Sequence, residues 1–355
     1  VKVVTVIGNR PQFVKAAAVS HRLRAVADEV LVHTGQHYDE ELSRVFFEEL
    51  DLPAPEHHLE LGGGTNTAQT ARMLAALEPL LAAEAPDAVL VYGDTNSTLA
   101  GALAAAQAAI PVAHVEAGMR SHDWTMPEEL NRVLADHAST LLLCSSERAA
   151  ARLREEHVHG EAVVVGDVMV DVAMLLAPRA RADLAPLERA GVEPGGYALA
   201  TAHRAGNVDD PDRLRALVAV LTGVPGPVVL PLHPRTRGRL EAIGLLGALE
   251  GDGVRLVPPL GYLEFTSLLL HARAVLTDSG GVQKEAYLAG VPCVTLRDTT
   301  EWTETVESGW NALAGLDAGR ARAALERRVP DERPPLYGDG RAGERVVQAL
   351  SRMAA

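Results

Sequence analysis

Carboxylates and cations in this chain stand at the ends of apolar runs, where a folded sheet leaves side chains free for chemistry. Asp94 follows DAVLVYG, Glu116 closes PVAHVE, and Glu128 and Glu129 stand in the first turn of PEELNRVLADHA. Carboxylates gathered this way can move protons as general acid and base. Arg10 and Lys15 follow VKVVTVIG, His203 and Arg204 follow YALATA, His233 and Arg235 follow PVVLPL, and Ser279 follows AVLTD. Such groups hold phosphates or stabilise a leaving anion. Acids therefore gather in the first half and donors in the second, with Arg10 and Lys15 as exceptions. Each has a plainer reading. Asp94, Glu128 and Glu129 could cap or complement a helix start, and His203 and His233 could be hydrogen-bonded structural residues. Glu116 is harder to dismiss: no helix starts beside it, and a carboxylate ending an apolar strand is costly unless paired or used.

The stretch AVLTDSGGVQKEAYLAGVPCVTLRDTTEW, from Ala274 to Trp302, reads as strand, Ser-Gly-Gly turn, helix, strand and charged loop. Gly280 and Gly281 let the backbone turn tightly into the helix, whose unpaired N–H groups then point outward with the positive end of the dipole. Glu285 lies about one turn further in, placed to accept from a ribose diol. The stretch is either an ordinary tight turn of a doubly wound fold or a nucleotide-diphosphate cradle.

Elements that position these residues follow a repeating order. Apolar strands alternate with amphipathic helices from VKVVTVIG onward: EVLVHTG, a helix from Tyr38 to Leu50, a Gly62-Gly63-Gly64 loop, a helix from Thr67 to Ala83, then DAVLVYG, PVAHVEAG and TLLLCSS with their helices. The pattern loosens between Asp171 and Gly196, then restarts with YALATAH, PVVLPLH, VRLVP, AVLTD and VPCVTL, and a helix from Ala342 to Met353 ends it. Alternation of this kind predicts α/β architecture with parallel sheets covered on both faces. Two similar halves meeting at a cleft are expected, with ligands beyond the C-terminal strand ends.

Composition narrows the partners. The chain has 355 residues, enough for two cores, and a formal charge of −14 argues against nucleic acid or an anionic membrane. Cys144 and Cys293 lie in apolar runs and imply neither a disulfide framework nor a Cys-rich metal site, which fits a cytoplasmic protein. The N-terminus opens on a strand without a signal region, and no apolar run reaches membrane-spanning length. His122-Asp123 near Glu128 matches no metal-ligand spacing. GNRPQF is not a dinucleotide fingerprint, and GxSxG and Walker A patterns are absent.

With GNRPQF, TGQHYDEE, YGDTNSTLAGALAA, HVEAGMRS, MPEELNR, TAHRAGNVDD, LHPRTR, GYLEF, DSGGVQKEA and LRDTTEW in order, the chain resembles the non-hydrolysing UDP-N-acetylglucosamine 2-epimerases over nearly its whole length. The resemblance implies the GT-B fold, two Rossmann-like doubly wound domains with an interdomain active-site cleft: residues 1–170 completed by a C-terminal helix 340–355, and a UDP-binding domain 171–339. It implies a homodimer, no cofactor and no metal. It implies interconversion of UDP-GlcNAc and UDP-ManNAc by expulsion of UDP to a 2-acetamidoglucal and re-addition. Asp94, Glu116 and Glu128 match the family's catalytic carboxylates and His203 its essential histidine. Arg10, Lys15, Ser279, Gly280, Gly281 and Glu285 match nucleotide- or phosphate-holding positions. Gln36 and His233 match the allosteric site at which a second UDP-N-acetylglucosamine activates some bacterial members; weak or absent activation is expected here.

Departures bear on the sugar. The usual GTRPE is GNRPQ, with Asn9 and Gln12; HRAGN has Gly206 in place of a carboxylate; TERPE becomes TEWTE, placing Trp302 where an arginine would face substrate. The RPQF and TEW variants together look like the branch acting on UDP-2,3-diacetamido-2,3-dideoxyglucuronate, and losing an arginine changes what the pocket can grip. A UDP-sugar glycosyltransferase on the same fold is the alternative from another class. Three carboxylates favour epimerisation, since a transferase needs one base and an acceptor site.

Overall fold

The computed structural model describes residues 1–36, 47, 50–251 and 253–353. The expected helix from Tyr38 to Leu50 therefore falls largely outside the described residues, as do His37 and Asp39.

Two compact units form, one from Val1–Met174 with Pro335–Ala355 and the other from Leu175–Pro334. The first is built on strands β1 (Lys2–Ile7), β2 (Asp28–His33), β3 (His57–His58), β4 (Ala88–Tyr92), β5 (Val112–Ala117), β6 (Leu141–Cys144) and β7 (Glu161–Val164). All pair in parallel in the order β3-β2-β1-β4-β5-β6-β7. The second unit has β8 (Ala198–Thr201), β9 (Val228–Pro231), β10 (Val254–Val257), β11 (Ala274–Thr277), β12 (Cys293–Thr295) and β13 (Asn311–Leu313), in the order β10-β9-β8-β11-β12-β13. Both sheets are doubly wound, as the GT-B reading requires. Their central strands are buried on both faces, which is why they read as continuous apolar runs: β4 is AVLVY without an exposed residue.

Sheet order reverses between β1 and β4 in the first unit and between β8 and β11 in the second. Crevices open beyond strand ends at such switch points. Arg10 and Asp94 leave β1 and β4 at the first; His203 and Ser279 leave β8 and β11 at the second.

Some elements differ from the sequence reading. The region from Asp171 to Gly196 is not loose: helices run Val168–Ala182 and Ala185–Ala190. Pro178 inside the first and the mixed Ala, Pro and Arg composition hide its period. Short edge strands β3, β7 and β13 were not anticipated, because two to four residues carry too little alternation to stand out. The last helix, Ala342–Met353, packs on the first unit: the Asp171 carboxylate accepts from the backbone N–H groups of Ala342 and Gly343, both at 3.0 Å.

Candidate active site

In the first unit, the helix Arg10–Leu23 starts directly after β1, capped by Asn9. A cation in a first turn gains nothing from the macrodipole, so Arg10 is not there for the helix. Gln12 is buried and shows what the change from Glu accomplishes. Its Oε1 accepts from Gly8 N at 2.8 Å, and its Nε2 donates to Tyr92 O at 2.9 Å and Thr98 Oγ1 at 3.0 Å. A carboxylate could not make those two donations. Gln12 thereby ties the turn after β1 to the end of β4.

Lys15, on the same helix, forms an ion pair with Glu116 in which both side chains are largely buried. Glu116 has φ of +74°, a region that a non-glycine residue seldom occupies, at a register shift between Val115 and Ala117. The irregularity turns its carboxylate out of the strand alternation and toward Lys15. Strain of this sort collects at functional sites.

Asp94 is gripped from the helix Pro127–Ala138. Its carboxylate pairs with Arg132, whose other nitrogen bonds Glu129 at 3.0 Å, and its carbonyl oxygen accepts from Asn131 at 3.0 Å. Glu129 is buried and also accepts from Ser121 N at 2.8 Å, Ser121 Oγ at 2.9 Å and His122 N at 2.9 Å. It is therefore structural. Glu128, one residue earlier on that helix, is half-buried in the first turn. Arg132 was missed in the sequence, although its place four residues after Glu128 in PEELNR puts the two one turn apart.

Gln36 follows β2, and its Oε1 accepts from Ser97 N at 3.1 Å and Ser97 Oγ at 2.7 Å. Among the described residues no group of three or more His, Cys, Asp or Glu side chains is placed to hold a metal ion.

In the second unit, Asp278 organises the switch point, and sequence reading passed over it. It is fully buried, and its carboxylate accepts from His203 N at 3.2 Å, Arg204 N at 3.0 Å and Asn207 Nδ2 at 3.1 Å. The turn after β8 is thus fastened to the residue that follows β11. The His203 ring is exposed, its Nδ1 3.6 Å from Asp278 Oδ1.

Ser279 caps the helix Gly280–Ala289. A Cβ at Gly280 would lie 2.0 Å from Glu301 Oε1, so any side chain there requires the Glu301 carboxylate to move. Glu301 is held by Arg297 at 2.9 Å. Trp302 is only 4% exposed, and the buried Lys284 ammonium lies 4.3 Å over its ring. Glu285 is half-buried beside the Tyr262 hydroxyl; burial, then the Glu285 charge, hold that phenol well above its usual range. His233 caps the helix Pro234–Ala242, its Nδ1 accepting from Arg235 N at 3.2 Å.

Acid and cationic groups in the first unit and the Ser-Gly-Gly helix start with an exposed histidine in the second match a known architecture. The family model described as UDP-N-acetylglucosamine 2-epimerase matches residues 21–351. A UDP-2,3-diacetamido-2,3-dideoxy-D-glucuronate 2-epimerase of Pseudomonas aeruginosa is 47% identical, covering 99% of this chain and all of the relative. A UDP-N-acetylglucosamine 2-epimerase of Methanocaldococcus jannaschii is 40% identical over 99% of each chain. The crystal structure of the Methanocaldococcus jannaschii UDP-GlcNAc 2-epimerase with UDP-GlcNAc and UDP superposes with a TM-score of 0.93, covering 99% of this chain and all of that one at 40% identity. The chain belongs to the UDP-N-acetylglucosamine 2-epimerase family.

Proposed function

We propose that this isomerase, a UDP-sugar C2 epimerase by family, interconverts UDP-N-acetylglucosamine and UDP-N-acetylmannosamine without a cofactor. The observation that carries the reading is Glu116 of β5, strained at φ of +74° and paired with Lys15, together with an Asp94 clamped by Arg132. The sugar's C2 proton is not acidic, since no carbonyl adjoins it. Breaking the C1–O bond as that proton leaves gives UDP and 2-acetamidoglucal. Re-addition of UDP at C1, with a proton delivered to the opposite face of C2, gives the epimer. Asp94, Glu116 and Glu128 supply the acid/base groups. Arg10, Lys15, His203 and the Ser279-Gly280-Gly281 helix start hold the leaving diphosphate, and Glu285 the ribose. We read Gln36 and His233 as capping residues and expect weak or absent activation by a second UDP sugar at their site.

A second reading takes UDP-2,3-diacetamido-2,3-dideoxyglucuronate as substrate. The 47% identity to the Pseudomonas relative favours it. One assay separates the two. Each UDP sugar is incubated with the protein in D2O and followed by NMR. Deuterium at C2 of both UDP-GlcNAc and UDP-ManNAc, without accumulating UDP, is expected; exchange only with the diacetamido uronate selects the second reading. UDP release without exchange defeats both. Glu116→Gln is expected to lose exchange while UDP affinity stays within about threefold.

A further inference from the structure

His114 lies in β5, fully buried, and has no part in the scheme above. Its two ring nitrogens face two acceptors: Nδ1 is 2.8 Å from Asp136 Oδ1, and Nε2 is 2.7 Å from the Gly93 carbonyl oxygen. A neutral imidazole has one N–H and satisfies only one of them. The other acceptor would then face a lone pair in a buried site, which is costly. Shifting the proton to Asp136 is opposed at its second oxygen, which accepts from Arg120 Nη1 at 2.7 Å and Gly118 N at 3.2 Å. Arg120 in turn bonds Glu156 at 2.5 Å, so charges alternate along His114, Asp136, Arg120 and Glu156.

We infer that His114 is a positioning residue carried as an imidazolium, clamping the Gly93 carbonyl and Asp136 so that Asp94 and Glu116 keep their geometry. The inference rests on the proposed acid/base roles of those two carboxylates. Gly93 transmits the clamp. It immediately precedes Asp94, its N–H donates to Val115 O at 3.0 Å, and a Cβ on it would lie 3.0 Å from Lys15 Nζ and 3.3 Å from Glu116 Oε2. At the other end, Asp136 holds Gly118, two residues after Glu116. Charged groups around the ring are thus Asp136 from the helix Pro127–Ala138, Arg120 and Glu156 behind it, and Lys15, Glu116 and Asp94 around Gly93. Strand neighbours Val91 and Leu142 do not titrate. Burial works against the Asp136 charge, but His114 and Arg120 hold its carboxyl below the usual range.

The test uses the full chain labelled with 15N-histidine, read by long-range 1H–15N correlation without substrate. Both His114 nitrogens are expected in the protonated range at neutral pH. A bare ring nitrogen at neutral pH overturns the charge. His114→Gln assigns the signals. In folded His114→Gln, kcat is expected to fall at least about tenfold with KM within about threefold; unchanged kcat overturns the positioning role. If that variant does not fold, Asp136→Asn is expected to leave one His114 ring nitrogen bare at neutral pH, and a ring still protonated on both nitrogens overturns the clamp. A protein that turns over neither UDP sugar defeats the functional reading, while the resonance result is unaffected.

Discussion

At the scale of single residues, the candidate site depends on which side chains cannot be exchanged. Gly93 sits at φ of +64° with Lys15 Nζ and Glu116 Oε2 close to where a Cβ would be. Gly93→Ala is therefore expected to cost about 1–3 kcal/mol in stability and to lower kcat by at least about tenfold, as the displaced ion pair moves the acid. Urea unfolding and C2 exchange read the two effects, and wild-type values for both would remove Gly93 from the site. Asp94, Glu116 and Glu128 were legible in the sequence because each ends an apolar run or opens a helix. Arg132, Asp278 and His114 were not. Their importance lies in partners 38, 75 and 22 residues away in the chain, and long-range hydrogen bonds leave no local period to read.

At the scale of elements, helix starts and strand ends do the placing. The helix Gly280–Ala289 begins under the Glu301 carboxylate, and that proximity explains the first glycine better than turn geometry does. Gly280→Ala must push Glu301 off its Arg297 partner or move the helix start. UDP affinity is expected to drop at least about tenfold, measured by calorimetry, with exchange at saturating substrate less affected. Affinity equal to wild type would detach the helix start from nucleotide binding. Trp302 ends the same loop, and its indole lies beneath the buried Lys284 ammonium. The regular helices and long central strands were predictable from periodicity. The helix Val168–Ala182 was not, since its internal proline and mixed faces argued for a break that tertiary packing overrides.

At the scale of the whole molecule, the chain returns to its first unit through the helix Ala342–Met353, whose start is held by Asp171. Asp171→Ala leaves two buried N–H groups unpaired and is expected to destabilise that unit by about 1–3 kcal/mol. Burial raises the Asp171 carboxyl above its usual range despite the N–H groups of Gly343 and Ala342. A carboxyl whose folded pKa is raised contributes most below its unfolded pKa and loses that contribution as pH rises through the folded one. The gap between wild type and variant should therefore narrow as pH rises above about 4, as thermal unfolding at each pH will show; a widening gap contradicts the assignment. Among the described residues, no helix is long and apolar enough to cross a membrane.

By itself the sequence determined the α/β class, the alternation of strand and helix, and the positions of the carboxylates and the Ser-Gly-Gly turn. These are local properties: period, apolar run length and turn chemistry within a few residues. Only the tertiary structure decided which strands are neighbours, that Glu116 is strained against Lys15, and that Asp278 fastens His203. It also showed that the Glu301 carboxylate occupies the space a side chain at Gly280 would need. Those facts arise where residues far apart in the chain must satisfy buried charge and hydrogen bonds together.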